Sequence, residues 1–480
     1  MFICLFILCT SLNNVIMKNK QLKRWLAAAL CLAVTLTASA FWVDGICYSQ
    51  NPDGKSVTVT YDHLDYDVDA NQYIGPTYDG LNGALIIPSV INVDGELYDV
   101  VAIGDHAFYQ CGITSVYIPN TVTTISSSAF ELCCSLESVN IPNSVTEIGS
   151  FAFWSCSKLA SVAIPDSVTK INQETFEGCS NLTSVSIGKS VTNIGFSAFK
   201  ECNNLTSVYI TDLAAWLDID YGQWGHPFES SEKGDLYLNG SKITSLVIPD
   251  GIEKLKEGGL YGCSGLTSVT IPNSMKIIGS SAFYGCTGLT SITIPNSVIQ
   301  IAGGAFKKCT GLTSITIPNK VTTINGLTFS GCTSLEKVCL GPEVRSILFG
   351  AFEKCSSIKD IICLRDRPAQ VEENVNWFTF SPNVFYTATV HVPKGSLSSY
   401  YSAPVWMRFD NYIDDADAFV VKGDLTGDGC VDINDVNAMV NLILGRSSLY
   451  HDQADVTADG KVNVADLNAV VNIMLGRIVE

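Results

Sequence analysis

The sequence is poor in charge, in basic residues and in histidine. Only 16% of its 480 residues are charged, and 29 Lys and Arg face 47 Asp and Glu, a formal net charge of −18. Nucleic acids and anionic membranes are bound through basic faces, so neither class of partner is expected. The five histidines (His63, His106, His226, His391 and His451) are scattered. There is no His-Glu-x-x-His, nucleophile elbow, phosphate loop or dinucleotide fingerprint, so the chain is not expected to be an enzyme. Beyond residue 40 there is no long apolar run, which excludes a polytopic membrane protein. The chain is nevertheless 47% hydrophobic, enough to bury a core and to exclude intrinsic disorder.

The first forty residues are laid out as an export signal. Lys18, Lys20, Lys23 and Arg24 precede an apolar run from Trp25 to Leu36, and Ala38-Ser39-Ala40 supplies a small-x-small cleavage site. The run is short for a membrane span of about 20 residues. Residues 1–16 carry a second apolar patch ahead of the basic cluster, so Met17 is the expected start of translation. Loss of the four basic residues takes the charge from −18 to −22, which suits a secreted or cell-surface protein with no span in its mature chain.

The middle of the chain repeats every 23 residues. Ile118-Pro119, Ile141-Pro142 and Ile164-Pro165 are followed by Ile187 and Ile210, and later by Ile248, Ile271, Ile294, Ile317 and Leu340. Phe130, Phe153, Phe176 and Phe199 keep the same step, as do Phe283, Phe306, Phe329 and Phe352. Phe108 falls one residue out of phase. In each unit a short strand such as Leu266–Ile271 alternates apolar and hydroxyl residues. Pro272 then stops it, and a short helical or 3₁₀ segment leads through Ile278, Ala282 and Phe283. Twenty-three residues enclose no core alone, but stacked units bury a continuous one. The fold expected is a solenoid of short parallel strands, with about eleven turns at roughly 4.8 Å each.

Leu-Thr-Ser-Val-Thr-Ile-Pro-Asn-Ser followed by Ile-Gly, Ala-Phe and Cys, as in residues 263–286, resembles the BspA-like class of bacterial leucine-rich repeats. On this resemblance residues 86–363 are the solenoid and 211–247 an insertion between rungs. Residues 364–415 are a C-terminal cap with Val390–Ser396 and Trp406, and 41–85 are read as a β-rich N-terminal cap. The Asp94-Gly95 pair signals a hairpin turn. The resemblance implies adhesion to host proteins, glycans or other bacteria.

Three features of the solenoid invite a functional reading. Its strand face carries small hydroxyls, from Ser184 and Ser186 to Ser314 and Thr316, which suit either a solvated sheet or an adhesive surface for protein or glycan. The insertion gathers Trp216, Tyr221, Trp224 and Phe228, either as a partner-binding contact or as a loop packing its own aromatics. Cysteines recur from Cys133 to Cys355 at one inward position. Adjacent rungs lie within disulfide reach, yet parallel side chains and the fifteen cysteines left after the signal favour unpaired thiols acting as small hydrophobes.

Residues 421–480 hold two calcium-type loops. The first offers Asp424, Thr426, Asp428, Cys430 (through its carbonyl), Asp432 and Asp435 at positions 1, 3, 5, 7, 9 and 12, with Gly429 at the turn. The second repeats the pattern 31 residues on: Asp455, Thr457, Asp459, Lys461 (carbonyl), Asn463 and Asp466. Each opens a helix with an apolar stripe, Val436-Met439-Val440-Ile443 and Leu467-Val470-Val471-Met474. Hard oxygen donors in flexible loops favour calcium, two ions here. The duplicated half-motif with Asp at position 12 resembles a type I dockerin, a small all-α domain. That resemblance implies a calcium-folded plug for a cohesin on another protein. Ile433-Asn434 and Val464-Ala465 replace the hydroxyl pairs of cellulosomal dockerins, which leaves another envelope receptor or intramolecular packing as alternatives.

The sequence thus reads as a secreted or surface-held binding protein. The alternative is a non-catalytic component of an extracellular polysaccharide-degrading assembly. For catalysis the available carboxylates would be Asp218 and Asp220 in the insertion or Glu372 and Glu373 in the cap.

Overall fold

The computed structural model describes residues 40–61, 65–67, 72–74, 81–373, 378–416, 423–425, 431, 433–445 and 454–474. The export signal and Met17 lie outside them. The main body is a β-solenoid of about 13 turns. Strands Ile113–Tyr117, Ser138–Asn140, Ser161–Ala163, Ser184–Ser186 and Ser207–Ile210 pair in parallel. Ser115, Ser138, Ser161, Ser184 and Ser207 stand in register. Each rung repeats the same alternation, so Val116, Val162, Val185 and Val208 point inward while the hydroxyls line the outer face.

The proline ends each strand, and the chain then runs through turns closed by 3₁₀-type i→i+3 bonds. Met275 N–H reaches Pro272 O, Tyr284 N–H reaches Ser281 O and Cys286 N–H reaches Phe283 O. Between these turns lies a second strand of two residues per unit, such as Ile277–Ile278 beside Gln300–Ile301.

Between the two strand columns the phenylalanines stack like coins. Phe108, Phe130, Phe153, Phe176 and Phe199 follow one another at ring-centroid distances of 5.2–5.4 Å, their planes nearly parallel. Phe283, Phe306, Phe329, Phe352 and Phe380 form a second stack at 5.0–5.5 Å, and Trp406, Phe385 and Phe409 close it edge-on. Such ring pairs add about 0.5–1.5 kcal/mol each beyond their buried area.

The cysteine column is made of thiols. Cys133, Cys156, Cys179, Cys202, Cys286, Cys309, Cys332 and Cys355 each donate S–H to a carbonyl 25 or 26 residues back, at 3.0–3.3 Å. The acceptor belongs to the previous unit's aromatic position, at the corner where the chain turns. A weak donor at that place ties two rungs together while remaining nearly apolar. Burial pushes the Cys179 and Cys286 thiols up to about 12.

At the N-terminal end Phe41–Val43, Ile46–Gln50 and Ser56–Thr60 form an antiparallel meander whose last strand runs parallel to Glu96–Ile103. Val90–Val93 and Glu96–Ile103 make a hairpin across Asp94-Gly95, with φ of 54° and 96° as a type I′ turn requires. At the other end Asp360–Cys363, Thr389–His391 and Asn411–Ile413 continue the ladder.

Residues 211–247 complete one turn of the solenoid and add a strand and a hairpin to it. A short helix, Leu213–Leu217, is capped by Asp212, whose carboxylate accepts the Ala215 N–H at 3.0 Å. Asp220–Tyr221 then joins the short-strand column beside Asn193–Ile194, and Asp235–Leu238 joins the long one beside Ser207–Ile210. A hairpin with Ser241–Lys242 ends that sheet, and a new one starts at Ser245–Val247.

Beneath this rung lies buried His226, packed against Trp216, Tyr221, Phe228 and Tyr261. Its Nδ1 accepts the Phe228 N–H at 3.1 Å, which places the proton on Nε2. Burial lowers its pKa from 6.5 to about 3.

Two predictions follow from this packing. In native protein, iodoacetamide should alkylate exposed Cys134 within minutes while Cys286, Cys309 and Cys332 stay unmodified until denaturant is added. Disulfide-linked peptides from the column, read by mass spectrometry, would overturn the thiol assignment. The second concerns pH. An unfolded His226 binds a proton near 6.5 and the folded one near 3, so stability falls as pH drops through that window. By pH 4 the loss from this group is on the order of 3 kcal/mol. Denaturation midpoints at pH 7 and pH 4 should separate less in His226→Phe than in the wild type, and an equal separation would refute the argument.

Candidate functional site

The C-terminal segment folds around two helices, Ile433–Ile443 and Val464–Met474, that pack on each other over a small core of their own. Leu425 and Val456 enter that core together with Met439, Ala469 and Val470. These two residues hold loop position 2, immediately after the first aspartate of each loop. Sequence reasoning passed over them, although an apolar residue at the same step in both copies was the available signal.

The second loop is described from its first residue to its last. Asp455 accepts the Asp459 and Gly460 N–H groups at 3.0 and 2.8 Å, folding the loop back on its first residue. Gly460 has φ of 82°, a left-handed conformation that a side chain would strain. Asn463 caps the following helix through the Ala465 N–H at 2.8 Å. Asp466 is fully buried and accepts three bonds: the N–H and O–H of Thr457 and the N–H of Asn463, all at 2.8–2.9 Å. Burial pushes its carboxyl up, but the bonds from Thr457 and Asn463 outweigh that and hold it below the usual carboxylate range.

Carboxylate oxygens of Asp455, Asp459 and Asp466 lie within 4.8 Å of one another. Three acidic groups gathered around a glycine turn, with an amide oxygen beside them, fit a hard divalent cation. Thr457, through its Asp466 bonds, serves the loop's shape. Of the first loop, Asp424 and Asp435 are described, both buried, and Asp435 accepts the Leu425 N–H at 2.8 Å. Thr426, Asp428, Cys430 and Asp432 lie outside the described residues.

The aromatic group of the insertion is not a single surface. Trp216 and Phe228 are buried, Trp216 donating its indole N–H to Gly259 O at 2.9 Å. Tyr221 is half-buried, its ring against His226. The short helix and the added strand turn Trp216 and Phe228 toward the core, so of the two readings of the insertion these two rings fit packing. Trp224 is 46% exposed, and Phe196 on the adjoining rung is likewise exposed, the two turns joined by Ser197 N–H to Gln223 O at 2.8 Å. Phe196 was visible in the sequence as an aromatic where neighbouring units carry Ser or Gln.

Of the carboxylates considered for catalysis, Asp218 and Asp220 both clasp Lys256, at 2.9 and 3.0 Å, and Glu373 pairs with Arg408 at 2.6 Å. No helix among the described residues is long and apolar enough to cross a membrane.

Comparison with known proteins agrees with this anatomy. The BspA type leucine rich repeat region matches residues 101–218 and 234–362 in six copies, and the dockerin type I domain matches residues 422–475. Both are binding modules, and type I dockerins bind calcium. Among solved structures, a leucine rich cell surface protein from Faecalibacterium prausnitzii is 25% identical. The match covers 70% of this chain and 96% of that one, at a TM-score of 0.41. A T. pallidum leucine rich repeat protein is also 25% identical, over 52% of this chain and 91% of that one, at 0.32. The pneumococcal vaccine antigen PcpA is 16% identical, over 79% and 99%, at 0.43. No curated protein matches the chain. The repeat region spans more than half of the sequence, and the chain belongs to the BspA-type leucine-rich-repeat family, with a type I dockerin domain at its C-terminal end.

Proposed function

We propose that this is an exported binding protein, secreted or held at the cell surface, whose solenoid carries an adhesive face and whose tail docks it to a second protein. The observation behind the reading is the joining of a non-catalytic repeat surface and a dockerin on one chain. The division follows the sequence: signal 1–40, N-terminal cap 41–85, solenoid 86–363, C-terminal cap 364–415 and docking module 421–480. The solenoid's ligand is a host protein or a glycan, and the tail's partner is a cohesin-like or other envelope protein. Two calcium ions complete the tail, one per loop. In the second loop Asp455, Thr457, Asp459, Asn463 and Asp466 hold the ion with the Lys461 carbonyl. Bound calcium supplies positive charge that offsets the gathered carboxylates, so the loop and its helix form together.

A second reading, a non-catalytic part of an extracellular polysaccharide-degrading assembly, is favoured by the dockerin. Binding to plant or mucin polysaccharide would select it, and binding to proteins alone would select adhesion.

The docking test uses the full chain, immobilised and exposed to envelope and secreted proteins with calcium and with chelator. A partner retained in calcium and released by EGTA, and lost in Asp424→Ala plus Asp455→Ala, is the expected result. Equal retention with and without calcium would overturn the docking role. Calcium should also raise the melting temperature of the tail's transition while leaving that of the solenoid within a degree or two. Loss of the calcium effect in Asp466→Ala locates the ion, since position 12 holds both the loop and the helix start.

A further inference from the structure

The strand-face ladder is interrupted at more than one place: Ser138–Asn140 and Ser161–Ala163 share a single pair, no pairing joins residues 291–293 to Ser314–Thr316 among the described residues, and between the rungs at 268 and 291 the interruption opens a cleft. Elsewhere Ile164, Ile187, Ile248 and Ile317 each donate N–H to a carbonyl one rung on, at 2.8–3.0 Å. Among the described residues the corresponding bond from Ile271 to Thr293 is not made, and a single bridge, Thr270 to Thr293, joins the two rungs. The turn that follows is parted too. Ser144 and Ser274 donate Oγ–H to the preceding rung, at 2.7 and 3.1 Å, whereas Ser297 Oγ is buried without a partner among the described residues. Asp166 and Asn296 each accept an N–H from the next turn at 2.9 Å, a bond that Asp250 and Asn273 do not make.

The other side stays shut. Ile277 and Ile278 pair with Gln300 and Ile301, and the rings of Phe283 and Phe306 are 5.0 Å apart. The rungs therefore part like a wedge, leaving a cleft of about 450 Å³.

From this opening we infer a carbohydrate-binding site for one or two neutral sugar residues, which deepens the proposed function and rests on its reading of the solenoid as a binding surface. Its polar lining consists of Ser268, Thr270, Ser291, Thr293, Asp250 and Asn273. Three hydroxyls that both donate and accept, the Ser268 oxygen as acceptor (its own O–H goes to Ser245 Oγ at 2.8 Å), a carboxylate and an amide match the dense, alternating hydroxyls of a sugar. The Ile271 N–H and Thr293 carbonyl, released from the ladder, add one more donor and one more acceptor. No Lys or Arg lines the cleft, so sialylated, sulfated and uronic sugars have no counter-charge in it. The volume lies in the range of small-molecule sites. A peptide strand does not fit between the rungs, because the Phe283–Phe306 contact keeps them at ordinary strand spacing on the closed side.

The test presents the full chain to an array of neutral hexose and N-acetylhexosamine oligosaccharides alongside sialylated and sulfated ones. Neutral probes alone should be retained, with affinity falling at least tenfold in Asp250→Ala and in Ser291→Ala, while Ser184→Ala with Ser186→Ala, three to four rungs away, binds as the wild type. Asp250 and Ser291 are exposed, Ser184 and Ser186 half-buried, and unchanged melting temperatures verify folding. Neutral binding lost in the Ser184/Ser186 variant instead would overturn the cleft and keep the glycan reading. Retention of acidic probes, or of proteins without any glycan, would overturn the inference, and only the second of these leaves adhesion to protein in place.

Discussion

Everything in this molecule depends on the contact between a residue and its counterpart 23 positions on. A unit of that length has an apolar side but nothing to bury it against, and the next unit provides the cover. The backbone bonds between strands, the stacked phenylalanines and the thiols reaching back to the previous corner are three forms of that contact. They occupy different sides of the rung, so each holds the register for the other two. A slip of one residue would turn Val185 outward and Ser184 inward along the whole column.

The cysteine explains itself within this scheme. The corner after each phenylalanine leaves a buried carbonyl facing the next rung. A serine there would carry a larger desolvation cost, and an alanine would leave the carbonyl without that donor. A thiol is nearly apolar and still donates. Its raised pKa keeps it protonated, the form that makes the bond, and keeps it unreactive toward oxidants. Stacked thiols thus need not become disulfides, even at strand spacing.

Much of this was legible in the letters because repetition makes them redundant. Ile-Pro, Phe and Cys at one period disclosed the solenoid, and two acidic loops 31 residues apart disclosed the tail. Phe108, one residue out of phase, still stacks on Phe130, because the missing residue is absorbed in the turn between them. The added strand at Asp235–Leu238, with its hairpin to Ser241–Lys242, was not legible, since it lies inside a turn and carries no Ile-Pro. Nor was the packing of Trp216 and Phe228, because an aromatic has the same letter whether it faces in or out. The cleft is hidden for a different reason. Residues 268–274 read Ser-Val-Thr-Ile-Pro-Asn-Ser, nearly the same as residues 138–144, so the letters do not mark the cleft.

A repeat stabilises by sameness, and a binding site needs a difference. Along most of the strand face every rung offers the same pair of hydroxyls, so a ligand placed on one rung would fit equally on the next and gain no position. Where the rungs 268–275 and 291–298 part, the same hydroxyls acquire depth, a carboxylate and an amide no longer tied to their neighbours. The opening weakens one side of one interface, and the closed side with its ring stack carries the register across it. A solenoid can tolerate such a local break because each interface contributes separately, which a single compact core could not do. The tail follows the same logic in reverse. Its two loops are copies, and in each the aspartate at position 12 accepts an N–H from the start of the loop, Leu425 in one and Thr457 in the other, so that loop and helix are tied at the same point twice.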